Sequence, residues 1–156
     1  TNFYNKFYKE FYKKFNSYEN LPKNYRKSKI DGVANNILKY SKKYPSILSI
    51  GCGNGIIENH INKKAPNKKL IVIEPSKACS KWIKKNKKIE FYNGFFPNAI
   101  KSKRNKIQFA YASSIEYTFT DKEYVDFLKS LIRFGIKEFI LSELFLASNT
   151  SAKDLY

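Results

Sequence analysis

The sequence predicts one α/β domain built on a parallel sheet with helices on both faces, and three observations carry that prediction. Ile47, Leu48 and Ile50 form a short apolar, largely β-branched run of the kind buried on both faces of a parallel sheet. The run breaks at Gly51, Gly53 and Gly55, and the helical pattern of Ile56, Ile57 and Ile61 follows at once. A second apolar strand, Leu70 to Glu74, ends in a carboxylate about 20 residues past the glycines, where nucleotide-binding folds place an acid to accept from ribose hydroxyls. A chain of 156 residues is one domain with a sizeable core.

The glycine turn is the stretch around which the rest is organised. Glycines at alternate positions remove Cβ, so the backbone can take positive φ and a ligand can lie directly against the main chain. Nicotinamide-binding domains usually space these glycines as Gly-x-Gly-x-x-Gly, and here the third comes one residue early. With Ile47 to Gly55 as a first motif and Ile71 to Glu74 as a second, the sequence resembles the Rossmann-like (class I) S-adenosylmethionine-dependent methyltransferases over residues 25–146. The resemblance implies a cofactor, S-adenosyl-L-methionine, held by Gly51, Cys52, Gly53, Asn54, Gly55, Glu74 and Pro75. It divides the chain into an N-terminal extension, residues 1–24, and a methyltransferase domain, residues 25–156.

Composition bounds the partners. Thirty Lys and Arg against 13 Asp and Glu give a net charge of +17, which favours a small anionic molecule, nucleic acid or a membrane surface. The alternative is a coding bias that loads the chain with Lys, Asn, Ile, Tyr and Phe. Cys52 and Cys79 have no metal-type spacing and no metal site is expected; the two thiols are expected to stay reduced, which points to the cytoplasm. No apolar run reaches the length of a membrane span and no secretory signal is present. The sequence contains no Met, so it is expected either to begin inside a longer chain or to omit residues.

Taken in order, residues 2–18 place Phe3, Phe7, Phe11 and Phe15 four apart with Tyr4, Tyr8 and Tyr12 beside them, a helix with one broad aromatic face. In the family the chain resembles, such an extension often covers the substrate side of the cofactor, so Tyr4 and Tyr8 are substrate candidates; packing on the domain, or on a second copy as a homodimer, is the alternative. Leu21 to Asn24 reads as a connector. A helix from about Tyr25 to Lys42 carries Ile30, Val33, Ile37 and Leu38 inward, and near its start Arg26, Lys27 and Lys29 either face solvent or meet an anionic substrate, with Arg26 the candidate. His60, the only histidine, is either structural or a general base.

Ser76 and Lys77 are expected to open a helix that turns Ala78, Trp82 and Ile83 inward; Trp82 beside Lys84, Lys85, Lys87 and Lys88 is either packed or a stacking platform for nucleic acid. A third strand, Ile89 to Tyr92, leads to Asn93, Gly94 and Phe95, which the resemblance sets beside the adenine. A fourth, Lys106 to Ala112, ends at Ala112 and Ser113, the last implied cofactor contacts. Beyond them Ser114, Glu116 and Tyr117 stand where amino-directed members of the family carry Asn or Asp, Pro, Pro and an aromatic residue. That motif is absent, which argues against an exocyclic amine as acceptor. Thr120 to Glu123 is a capping box for a helix with Tyr124, Val125, Leu128, Leu131 and Ile132 inward, ended by Gly135. Ile136 to Leu141 is the fifth strand, with Ser142 and Glu143 at its end. A complete fold of the family would add another helix and two further strands, expected to be missing from this sequence unless the domain is a minimal variant.

The expected activity is methyl transfer to a hydroxyl or phosphate-like oxygen of a small anionic acceptor, such as a glycan or nucleotide-linked precursor in surface polysaccharide modification. Ser114, Tyr117, Tyr4, Tyr8 and Arg26 are its substrate candidates, and Glu116, His60 and Glu143 the candidate bases. An RNA or DNA methyltransferase is the enzyme alternative, since thirty cations could equally track phosphates. A non-catalytic cofactor-binding subunit is the alternative from another class.

Overall fold

The computed structural model describes residues 2–83, 86–115 and 118–142. Five parallel strands form one sheet: β1 (Ser46–Ile50), β2 (Lys69–Glu74), β3 (Ile89–Asn93), β4 (Phe109–Ser113) and β5 (Glu138–Ser142). Their spatial order is β3-β2-β1-β4-β5. The chain therefore builds outward from β1 in one direction, then returns to start again at β4. The reversal falls between β1 and β4, and in open α/β sheets such a switch point opens a ligand crevice at the carboxyl ends of the strands.

Alternation along the strands feeds two cores. Ile47, Leu70, Val72, Phe109 and Tyr111 point to one face, among α3 (Asn35–Tyr40) and α4 (Ile56–Lys64). Leu48, Ile50, Ile71, Ile73, Ala110 and Ala112 point to the other, against Phe127, Leu131 and Phe134 of α5 (Asp121–Phe134). Helices on both faces are what double-sided apolar strands require. α1 (Asn2–Lys14) joins the first core through Tyr12, and the connector after it joins through Leu21.

Several expected elements differ in detail. The helix expected over residues 25–42 begins earlier, as α2 (Lys23–Lys27), and passes through a π-helical stretch, Ser28–Ala34, before α3. Among the described residues after β2 a 3-10 turn, Cys79–Lys81, stands where the helix was expected to open, and Trp82 and Ile83 are buried as expected. The fourth strand starts at Phe109 rather than Lys106. On α5 the capping box forms in full: Thr120 Oγ1 accepts from the Glu123 N–H, and Glu123 Oε2 accepts from the Thr120 N–H at 2.8 Å. Val125 and Ile132 do not face inward; they are 47% and 75% exposed. The stripe that packs runs through Phe127, Leu131 and Phe134 with Tyr124 and Leu128 at its border, and residues 125 and 132, seven apart, lie on the flank beyond it.

Candidate functional site

The glycine turn sits at the carboxyl end of β1, beside the switch point. Gly51, Gly53 and Gly55 have φ of +76°, +55° and +79°, a left-handed backbone that glycine adopts without strain. The turn is tied to β2 twice: the Gly51 N–H donates to the Ile73 carbonyl, and the Gly53 N–H donates to Glu74 Oε2 at 3.3 Å. Glu74 Oε1 accepts from the Ser76 N–H at 2.8 Å. The acid closing the second strand thus faces the bare backbone of the first turn. Burial raises its pKa, while the Ser76 and Gly53 N–H groups work in the opposite direction.

Not every residue of the turn presents its side chain. Asn54 is buried, accepting from the Ile56 N–H and donating to the Tyr25 hydroxyl at 3.0 Å, so only its backbone is available to a ligand. Cys52 is buried in the first core and desolvation lifts its thiol pKa well above the ordinary range; Cys79 is shifted the same way for the same first cause, and both thiols are free. Asn93 Nδ2 donates to the carbonyls of Glu74 and Pro75, and the Gly94 N–H donates to the Glu74 carbonyl, which fastens the end of β3 to the end of β2. Phe95 is 64% exposed beside them. Ala112 is fully buried in the second core, and Ser113 is the first residue of β4 to emerge from it.

The N-terminal helix reaches this turn. Asn5 Oδ1 accepts from Ser76 Oγ and the Ala78 N–H, Tyr12 donates its hydroxyl to the Cys79 carbonyl, and Trp82 packs edge-on against Tyr12 and Tyr18. Trp82 is therefore a packed residue and not a surface platform. Tyr8, the next inward aromatic, lies across the turn: a Cβ on Gly53 would meet its hydroxyl at 2.7 Å. Burial pushes the Tyr8 phenol upward, with Cys79, Tyr25 and Glu74 adding to the shift, so it stays a neutral donor. The open crevice expected over Gly53 is thus roofed by one side chain of α1. Tyr4 stacks edge-on with Phe3 further along the helix.

Two sequence candidates lie elsewhere. His60 Nε2 is paired with Asn35 Oδ1 at 3.2 Å, and partial burial, then Lys64, lowers its pKa. With Arg26, Tyr18 and Lys63 it lines a cavity of about 130 Å³ against α4, whose lining includes neither Gly53 nor Glu74. Glu116, Tyr117 and Glu143 fall outside the described residues, as do Lys84 and Lys85. Ser114 is described: it takes a left-handed φ of +56° just past β4, and its N–H donates to the Ser142 carbonyl.

One group near the site escaped the sequence reasoning, and another was left between two readings. Glu58 of α4 is fully enclosed beneath the glycine turn, where Oε1 accepts from Ser49 Oγ at 2.6 Å and from the Tyr111 hydroxyl at 2.5 Å. Its signal was present in the sequence, as a lone acid between Ile57 and Ile61 facing a serine in an otherwise apolar strand. Lys29, read from the sequence as either facing solvent or meeting an anionic substrate, donates from Nζ to Ser113 Oγ at 3.1 Å and to Ser114 Oγ at 3.4 Å. Among the described residues no group of His, Cys, Asp and Glu could hold a metal ion, and no helix is long and apolar enough to cross a membrane.

A parallel sheet with a left-handed glycine turn at its switch point, faced by the acid of the neighbouring strand, defines an α/β domain of the nucleotide-binding class. A family model described as methyltransferase domain matches residues 22–134, well over half of the sequence, and the chain belongs to that family. Among solved structures it is similar to the plantazolicin methyltransferase BpumL in complex with a pentazolic desmethylPZN analog and SAH, at 19% identity and a TM-score of 0.62, over 81% of this chain and 54% of that one. The same enzyme with a monoazolic analog and SAH matches at 20% identity and a TM-score of 0.57, over 75% of this chain and 44% of that one. The chain spans about half the length of these structures, and at such identity the likeness is one of fold. No curated protein matches the sequence.

Proposed function

We propose that the protein is an S-adenosylmethionine-dependent methyltransferase whose cofactor lies over the glycine turn with its sugar hydroxyls on Glu74. The observation that carries the reading is the Glu74 carboxylate bonded to the Gly53 N–H, which sets an acceptor for a diol beside backbone that has no Cβ. The residues fit the group with one movement, since Tyr8 has to leave the face of Gly53 for a ligand to reach it. Gly51, Cys52, Asn54 and Gly55 would offer backbone, and Pro75, Asn93, Gly94 and Phe95 would border the adenine where the ends of β2 and β3 are fastened together. When bound, the cofactor supplies an electrophilic methyl group for in-line displacement; the chain's own work is to position it, exclude water and orient the acceptor.

The acceptor we infer is an oxygen of a small anionic molecule, approaching past Ser113 and Ser114 at the carboxyl end of β4. The net charge of +17 supports an anionic partner, and a glycan-linked precursor falls within that class. The plantazolicin methyltransferase, solved with a desmethylPZN analog and SAH, brings an acceptor of that kind into consideration. A nucleic-acid acceptor is the second reading, favoured by an open groove on α4 bordered by Lys63, Lys87, Lys88 and three asparagines, Asn59, Asn62 and Asn86. Reduced, buried thiols suit a cytoplasmic setting.

Calorimetry with S-adenosylhomocysteine tests the cofactor assignment: saturable one-site binding is expected, and no detectable binding overturns it. Labelled methyl donor offered with RNA, DNA, peptide and nucleotide-sugar fractions then separates the acceptors. Label in nucleic acid alone would replace the first reading by the second, and binding without label in any fraction would favour a non-catalytic subunit.

A further inference from the structure

The cavity of about 130 Å³ against α4 is several times the space that one water needs. Its α4 side is a single helical stripe, Ile56, Asn59, His60 and Lys63, at spacings of three and four. Arg26 of α2 and Ile30 of the π-helical stretch close it from the other elements. Tyr18, also in the lining, donates its hydroxyl to the carbonyls of Asn54 and Gly55 at 3.3 and 3.2 Å. The cavity therefore adjoins the glycine turn without opening on Gly53 or Glu74.

Its donors have no acceptor. Arg26 Nε is buried without a hydrogen-bond partner, a costly state for an N–H of a charged group. Among the described residues neither Arg26 nor Lys63 joins an ion pair, and no side-chain hydrogen bond is made by Arg26, Lys63 or Asn59. The contrast within the same chain is Lys68, equally half-buried, whose Nζ donates to the carbonyls of Ser41, Lys42 and Tyr44. Glu19, the acid of the lining, does not answer the two cations: it is exposed, and its own N–H and the Ser17 hydroxyl lower its pKa ahead of Lys63 and Arg26. His60 is held by Asn35 Oδ1, and its lowered pKa leaves it uncharged at neutral pH.

We propose that this cavity is a second ligand site, which binds the phosphate group of a small phosphorylated molecule. Arg26 offers a planar fork, Lys63 a point charge and Asn59 a neutral N–H donor, and two cations outweigh the one acid. A carboxylate has two oxygens in one plane, which the fork alone consumes. A phosphate monoester has three free oxygens and a charge near −2, enough for all three side chains. A phosphodiester has two free oxygens and a single charge, so a terminal phosphate suits the set better than a nucleic-acid backbone does. The body of the ligand has a path along α4, because Asn59 and Lys63 also border the open groove with Asn62 and Asn86, amides suited to hydroxyl groups. The site stands apart from the cofactor crevice and does not depend on the cofactor assignment.

His60 supplies the readout, since it is the only histidine and lines the cavity. Its ring-proton resonances are followed at about pH 7.5, where the imidazole is neutral, while inorganic phosphate is titrated in at constant ionic strength, with chloride as the control and thermal melting to confirm that each variant is folded. A saturable shift is expected with phosphate and none with chloride. Arg26→Gln should weaken the titration by about tenfold or more, Lys63→Gln by less, and Glu19→Gln, at an exposed position, should tighten it by about threefold. A wild type without a saturable shift overturns the proposal, as do Lys63→Gln and Glu19→Gln that both titrate like the wild type. A single-stranded oligonucleotide without terminal phosphates is the other arm: if it saturates His60 at a lower phosphate concentration than inorganic phosphate does, and Arg26→Gln abolishes that shift, the site follows nucleic acid and the small-molecule assignment falls. Failure of S-adenosylhomocysteine to bind bears on the cofactor assignment alone.

Discussion

Two buried carboxylates lie on opposite sides of the glycine turn, and they are built for different ends. Glu58, below the turn, is enclosed by β1, β4 and α4 and accepts from two hydroxyls, those of Ser49 and Tyr111. Glu74, above it, accepts from two backbone N–H groups, those of Gly53 and Ser76, at the rim of the crevice. Burial raises both pKa values, and in both the hydrogen-bond donors offset part of that shift. The difference is in what remains: Glu58 Oε2 is buried without a partner, whereas Glu74 faces backbone against which a ligand can lie. A strongly buried acid is therefore not in itself the mark of a binding site. The neighbour that decides is the stretch of main chain without side chains.

The largest effect that separates the two acids is expected from Glu58→Ala. It strands two buried hydroxyls and opens a void under α4, and should cost about 3 kcal/mol in urea denaturation. A loss no larger than that of an exposed residue would show that the polar cluster does not hold the helix to the sheet. Glu74→Ala should instead act on the ligand, weakening S-adenosylhomocysteine by about 1 to 3 kcal/mol in calorimetry. If its affinity matched that of the wild type, Glu74 would join Glu58 as a structural group.

The pH dependence of stability sharpens the contrast. Because folding raises the proton affinity of Glu58, the native state holds more protons than the unfolded chain from the ordinary carboxylate range upward. The stability tied to that proton is fully present below this range and is lost as pH rises through the raised value. Glu58→Gln has no such titration, so its Tm should gain on the wild type as pH climbs from about 4 to 8. A constant difference in Tm would mean that Glu58 is not perturbed. The smallest effect expected is on binding by this same variant: Glu58→Gln should leave the affinity for S-adenosylhomocysteine within about twofold, since such a change lies below about 0.5 kcal/mol.

Much of this was legible in the residues. Ile47 to Gly55 and Leu70 to Glu74 announced two buried strands, a glycine turn and a facing acid, because apolar run length, glycine spacing and a terminal carboxylate are all local patterns. Thr120, Glu123 and Gly135 gave the limits of α5 for the same reason. What escaped depends on tertiary placement. The aromatic face of residues 2–18 predicted a helix, yet nothing local indicates that Tyr8 would lie on Gly53. The π-helical stretch Ser28–Ala34 was not read from the pattern of residues 25–42, which predicted a regular helix. Val125 and Ile132 read as core by composition and are exposed because α5 has more apolar residues than its buried stripe can use.

The central claim is that adenosine rests on the glycine turn with its sugar on Glu74, and a crystal structure with S-adenosylhomocysteine tests it most directly. The account predicts sugar hydroxyls within hydrogen-bond distance of the Glu74 carboxylate, the ligand against the Gly51 to Gly53 backbone, and Tyr8 displaced from Gly53. Ligand density anywhere else, or Tyr8 unmoved over the turn in a saturated crystal, would contradict it.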